Sequence, residues 1–300
     1  MLCFLTAVPL VLRRHFHKVK LLMLYLGCPV WANPKWKTSL LNADAKPADF
    51  LTQYARFFNS AEGNTTFYAD PSEETLQRWR QDTPTHYRFV LKVPQRISHA
   101  DTVDYAEQLT DWLGRMTALE DKLALIHLQL PASAGPLQLQ RISQMVQLIS
   151  QTRRCALEVR HPAFFDKASY EIALHKMLQQ FEAERVVIDS RALFAVAPTT
   201  PALLDAHAKK PRVPVHAISF SATPVLRFIG SDDMALNRQF YQPWLKKVQQ
   251  WLDEDKTPFC FFHTPDNDLA PQLCRQFARD LNYPHQCLAT WPGEQQFSLL

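Results

Sequence analysis

Residues 155–165 read C-A-L-E-V-R-H-P-A-F-F, and this stretch decides the fold. A short apolar run ends in Glu158, Arg160 and His161, and Pro162 then stops it. A strand covered on both faces has this form when its C-terminal end delivers polar groups to a site. Side chains alternate along a strand, so Glu158 and Arg160 share one face.

The form recurs on both sides of it. Apolar runs at 22–26, 87–93, 123–130, 186–189, 225–229 and 259–262, with a less apolar one at 60–64, are each followed by Gly, Pro or polar residues. Helical spacing of apolar residues intervenes at 49–58, 104–119, 137–149, 169–184, 239–252 and 270–281. Ser72 is placed to cap another helix, with Glu73 and Glu74 in its first turn. Eight strand–helix alternations predict a single-domain α/β fold, a TIM-like (β/α)8 barrel over residues 23–300. A doubly wound open sheet is the alternative. Residues 190–223 are rich in Pro, with a weak helical pattern at 202–208, and read as a lid, insertion or interface.

Composition narrows the class. At 47% hydrophobic and 21% charged, the 300 residues suit an ordinary globular core. With six glycines, no G-x-G-x-x-G or Walker-type phosphate loop is present. The six cysteines form no C-x-x-C pair, which fits a reducing cytoplasm. The formal charge is +4, and Arg13, Arg14, Lys18 and Lys20 account for all of it. The remainder is neutral, so no basic field points to nucleic acid. In the leading segment the apolar run 2–12 precedes the basic cluster, the reverse of a signal peptide. The run is also shorter than the about 20 residues of a membrane span. We expect Met23 to be the true start and residues 1–22 to be a misassigned start or a disordered tail, with a weak membrane-surface anchor as the alternative.

A barrel of this type carries its site at the C-terminal strand ends. In chain order those ends offer Trp31; Asn64, Thr66 and Glu62; Lys92; Gln129; Glu158, Arg160 and His161; Arg227; and Asn267. A small-molecule ligand at that end is the expected partner. Glu62 and Glu158 are the candidate acid/base pair, if their environments separate their pKa values. Lys92, Arg160 and Arg227 suit a carboxylate or phosphate. Trp31 offers a stacking wall. Glu158, Asp189, His161 and His263 carry a metal-dependent hydrolase or nuclease-like reading, without the tight spacing of a metal motif, so no metal site is assigned. A third reading is a non-catalytic binding or regulatory protein. Neither a cofactor nor an oligomeric state is indicated.

Each candidate also has a plainer role. Glu158 with Lys92 or Arg227 can be a buried charge network closing the barrel top. Asn64 can satisfy loop backbone, His161 can shape its turn, and His127 in I-H-L-Q-L can be a hydrogen-bonded core histidine. Cys28 has no recognisable base beside it.

The chain resembles the YecE-like family, a domain of unknown function. The resemblance rests on G-C-P-V-W at 27–31, F-N-S-A-E-G-N-T-T-F-Y at 58–68, F-V-L-K-V-P at 89–94 and I-S-H at 97–99. It continues with L-Q-L-P at 128–131, E-V-R-H-P-A-F-F at 158–165, L-R-F-I-G at 226–230 and F-F-H-T-P-D-N at 261–267. It implies a TIM-like barrel and no reaction. Two positions depart from it. Gly63 stands where many relatives carry an apolar residue, and F-I-G at 228–230 replaces an L-H-G ending, which removes a histidine.

Overall fold

The computed structural model describes residues 23–99 and 103–296. The expectation for residues 1–22 falls outside them. Eight strands run parallel: β1 (Tyr25–Gly27), β2 (Ser60–Gly63), β3 (Arg88–Lys92), β4 (Leu123–Gln129), β5 (Arg154–Glu158), β6 (Glu184–Asp189), β7 (Val225–Ile229) and β8 (Phe259–His263). They are hydrogen-bonded in the order β1-β8-β7-β6-β5-β4-β3-β2. Helices follow most strands on the outside, making one TIM-like α/β barrel, as expected.

Alternation along the strands separates two apolar clusters. Tyr25, Val90, Leu125, Ala156, Val186 and Phe259 pack together inside the barrel. The intervening residues, among them Leu26, Phe89, Ile126, Leu157 and Leu226, pack with helix residues such as Trp112, Met145, Leu174 and Trp251. The helix Leu139–Ser150 buries Ile142, Met145, Val146 and Ile149, the stripe its spacing predicts. Ser72 caps the helix Glu73–Gln81 by accepting from the Thr75 amide. No described helix is long and apolar enough to cross a membrane.

The ring closes between β1 and β2 without a backbone ladder. Side chains replace it. Asn59 accepts from the Leu26 amide and donates to the Leu24 carbonyl, both at 2.9 Å. The Tyr54 hydroxyl accepts from the Cys28 amide at 2.7 Å and donates to the Ser60 carbonyl at 3.0 Å. The Glu62 amide donates to the Cys28 carbonyl at 3.0 Å. Gly27 permits this approach: a Cβ there would lie 2.0 Å from the Ser60 carbonyl oxygen. Gly27→Ala is expected to cost about 3 kcal/mol or more by overpacking against backbone. A urea midpoint equal to wild type would show instead that the seam yields.

Several expected boundaries shift; the helix expected at 239–252, for example, begins five residues earlier and runs Met234–Asp253. The helix expected at 49–58 is α-helical only over Phe50–Tyr54, following the 3-10 turn Pro47–Asp49. The helix expected to reach Glu184 ends at Gln180, because Glu182 adopts a left-handed φ of 50° and turns the chain. Glu184 instead opens β6, its carboxylate held by the Ser219 and Ser221 hydroxyls and the Phe220 and Ser221 amides. Residues 190–223 contain the helices Arg191–Phe194 and Pro201–Lys209. Leu193, Leu203 and Ala206 join the cluster of Ile188 and Ile229, so this connection covers the β6–β7 side of the barrel's C-terminal mouth. The chain then returns to β7 without a helix, pinned by the contact of His216 with Glu171 at 2.6 Å and by Ser219 on Glu184.

Candidate functional site

The inward-facing residues near the strand ends are polar on β2 to β5 and at His263 of β8, with Arg227 reaching in from β7, and apolar at Ile188 of β6 and Ile229 of β7. Glu62, Lys92, His127, Gln129, Glu158, Arg227 and His263 form the polar layer, and all are buried. Register brings neighbours level: Lys92 pairs with His127, and Gln129 with Glu158.

Arg227 lies at the centre. Its Nε donates to Glu62 Oε2 at 2.7 Å and its Nη1 to Glu158 Oε2 at 2.6 Å. Lys92 Nζ sits 2.8 Å from Glu62 Oε1 and donates to Gln129 Oε1 at 2.7 Å. Arg160 reaches back along its own strand, with Nε 2.7 Å and Nη2 2.6 Å from Glu158 Oε1. His127 Nε2 stands 3.0 Å from Glu158 Oε2, and His263 Nε2 stands 3.4 Å from Glu62 Oε2. Each carboxylate oxygen therefore faces at least one cation.

The electrostatics follow from this packing. Burial alone would raise the Glu62 carboxyl, but Arg227 and Lys92, with His263, hold it well below the usual range. Burial likewise opposes the Glu158 charge, and Arg227, Arg160 and His127 outweigh it. Burial and the Arg227 charge push Lys92 down to about 8, against the pull of Glu62 and Glu158. Burial and Arg227 press His263 down to about 3, and burial lowers His127. At neutral pH both histidines are thus uncharged. Three cations then stand against two carboxylates.

Of the expected site residues, Glu62, Glu158, Lys92, Gln129, Arg160 and Arg227 come together. The others do not join them. Trp31 packs edge-on against Trp79 and Phe89, on the outer side of the strands. Asn64 Nδ2 donates to the Pro29 carbonyl at 2.8 Å, a loop-backbone bond. Thr66 Oγ1 donates to the Gly63 and Lys92 carbonyls. His161 Nδ1 accepts from the Ala163 amide and caps the turn Pro162–Phe164. Asn267 adopts a left-handed φ of 63°, and its carbonyl accepts from Trp36 Nε1 at 3.0 Å. The residues of the metal reading do not converge either. Asp189 faces outward, accepting from Trp244 Nε1 and Arg191, each at 2.7 Å. Among the described residues no group of three or more His, Cys, Asp or Glu could hold an ion. Cys28 is buried beside Tyr54, and burial raises its thiol pKa, so it is no thiolate.

His127 and His263, expected as a core histidine and as a metal candidate, join the layer instead, and His99, not among the expected residues, lies close by across Phe67. The first two carry a usable signal, since they share strand parity with Gln129 and Phe261. His99 lies in the β3–β4 connection, where burial and Arg160 lower its pKa. A cleft of about 590 Å³ opens beside the network, lined by Phe67, Tyr68, Asp70, Arg96 and His99. Phe67 separates it from Lys92, whose Nζ lies 5.8 Å from the ring centre.

Both departures have spatial reasons. A Cβ at Gly63 would lie 2.4 Å from Leu91 Cδ2 and near the Trp31 ring. Ile229 stands at the position of the missing histidine and belongs to the apolar side under Leu203 and Ala206.

The sequence profile described as "Protein of unknown function DUF72" matches residues 25–296. The chain is 41% identical over 260 residues to the UPF0759 protein YecE of Escherichia coli strain K12, covering 86% of this chain and 93% of that protein. The fold is similar to that of a DUF72 family protein from Enterococcus faecalis V583, with TM-score 0.66 and 17% identity over 88% of this chain and 97% of the other. A DUF72 family protein from Thermotoga maritima MSB8 gives TM-score 0.62 and 20% identity over 87% and 99%. With the profile spanning nearly every described residue, the chain belongs to the DUF72 family.

Proposed function

We propose that the C-terminal mouth binds a small anionic metabolite, with Glu62 and Glu158 acting as fixed counter-charges that hold the cations in place. One observation carries this reading: three cations share two carboxylates inside a buried network, leaving one positive charge uncompensated. In a low-dielectric site that excess attracts an anion far more strongly than a surface lysine does. Arg160 is the accessible member, with 17% of its side chain exposed, and its guanidinium suits bidentate contact with carboxylate or phosphate.

The same geometry weighs against the glutamates as an acid/base pair. A carboxyl held far below its ordinary pKa cannot serve as a general acid near neutrality and is a weak base. If the site does chemistry, Lys92 near pKa 8 is the group suited to moving a proton. Binding without turnover is the reading the locked carboxylates favour.

Thermal-shift measurements with anionic and neutral small metabolites test this. Anions are expected to raise Tm, and Arg160→Gln to lose most of the shift while its ligand-free Tm stays within a few degrees of wild type. Equal stabilisation by neutral sugars, or an undiminished shift in Arg160→Gln, would argue for a different site.

A further inference from the structure

We propose that the cleft beside β3 is a binding site for a small planar ring bearing a carbonyl-type acceptor, with Tyr68 and Phe67 as its walls and His99 as its hydrogen-bond donor. The site goes beyond the anion-binding reading and does not depend on it, because Phe67 stands between the cleft and Lys92.

The walls come from two adjacent strands. β2 is followed by the short helix Thr65–Tyr68 and its neighbour β3 by the short helix Gln95–Ser98, which brings Phe67 and Tyr68 beside His99. The Phe67 ring is buried, and it meets Tyr68 edge-on at 5.1 Å and His99 edge-on at 5.2 Å. Tyr68 is 80% exposed, a large ring left in water at the lip of the cleft. Covering it with a second flat ring gains both apolar burial and stacking. The cleft of about 590 Å³ has the size of a site for one small molecule.

Most of the polar lining is already committed. Arg96 Nη2 donates to Asp70 Oδ2 at 2.5 Å and its Nη1 to Gln108 Oε1 at 2.8 Å, so its charge is balanced and its plane is held. Arg115 donates to the same Asp70 oxygen at 2.8 Å. Among the described lining residues no charge is therefore left unpaired, in contrast to the layer across Phe67.

His99 supplies the polar contact. The Ser98 hydroxyl lies 2.9 Å from His99 Nδ1 and 3.1 Å from the Pro94 carbonyl, which already accepts from the Ile97 and Ser98 amides. With both lone pairs of that carbonyl engaged, the hydroxyl proton goes to Nδ1, and the ring proton sits on Nε2. Among the described residues no hydrogen bond reaches Nε2. Burial and Arg160 lower the pKa of the ring, so at pH 7 it is a neutral donor. A neutral donor between aromatic walls selects a neutral acceptor on a flat ring, the chemistry of aromatic amides and heterocyclic carbonyls.

Ligand titration by NMR on the full chain tests this, with benzamide as the probe, acetamide lacking the ring and cyclohexanecarboxamide lacking its flatness. Benzamide is expected to bind about tenfold more tightly than either, the scale of one stacked ring. Tyr68→Ala is expected to remove about that factor, and Tyr68→Phe to keep it. His99→Phe, a ring without a donor, is expected to weaken benzamide about fivefold, the scale of one hydrogen bond, and His99→Gln to recover most of the loss. Nitrogen-15 spectra of the imidazoles are expected to show His99 with a bare Nδ1 and a protonated Nε2, and the opposite tautomer would overturn its role as donor. Benzamide bound no more tightly than acetamide, or undiminished in Tyr68→Ala, would overturn the ring site. Arg160→Gln, the variant that probes the anion site, is expected to leave benzamide binding unchanged. A loss there as large as in Tyr68→Ala would place benzamide in the charged mouth and overturn the cleft. Self-association in sedimentation that Tyr68→Ala abolishes, without benzamide binding, would overturn the ligand site and assign Tyr68 to an interface between copies.

Discussion

Arg227→Met is expected to destabilise the protein by about 3–5 kcal/mol, the cost of leaving buried charge without its partner. Among the described residues Arg227 alone is bonded to both Glu62 and Glu158, and neither carboxylate is exposed at all. Its own charge is costly to bury, but the two carboxylates outweigh that cost and raise its pKa. Removing it leaves two buried anions with Lys92 and Arg160 alone. Converting both glutamates to glutamine and Lys92 to methionine in the same variant should recover much of the loss, since no fully buried charge then lacks a partner and Arg160 is partly exposed. Urea denaturation of the single and quadruple variants measures both effects. A single variant within about 1 kcal/mol of wild type would show that water reaches the layer and screens it.

Acid should unfold the protein in two stages, and the histidines come first. The folded-state pKa of His263, about 3, lies below its ordinary value near 6.5. Between these values the unfolded chain binds more protons than the folded one, so stability falls as pH drops from about 6.5 towards 3. A shift of this size corresponds to a loss on the order of 4 kcal/mol at the acid end. His127, lowered by burial, acts in the same direction. The glutamates follow. Their folded pKa values are depressed, so their contribution is complete above about 4.3 and is lost as pH falls further. His263→Gln should flatten the stability curve between pH 6.5 and 4.5 and leave the steeper fall below it. An unchanged slope in that variant would assign the first stage to other groups.

The barrel was legible because parallel strands buried on both faces leave uninterrupted apolar runs, and Pro and polar residues mark their ends. Strand parity then carried the reading from Glu158 to Arg160, which do meet. Parity stops where strands stop. Trp31 and Asn267 lie in loops, whose backbone path no alternation dictates, and the structure uses them for packing and backbone bonds. Asp189 is a different case: it lies within β6, where parity with the inward Ile188 already turns it outward, towards Trp244 on the helix Met234–Asp253.

The side-chain seam between β1 and β2 gives the barrel a line of lower cooperativity. Elsewhere around the ring, opening one amide of the sheet strains its neighbours in a continuous ladder. At the seam the amides of Leu26 and Cys28 are released by rotating Asn59 or moving the Tyr54 ring. Solvent hydrogen exchange at these two positions can proceed by local breathing while β3 to β7 stay closed. Glu62 belongs to the β2 bank of this seam, and His263 lies on β8, the strand paired with the β1 bank, with Arg227 reaching Glu62 across the barrel. The charged layer is thus also the clasp of the ring. A ligand that tightens the layer slows the breathing of β1, some distance from anything the ligand touches.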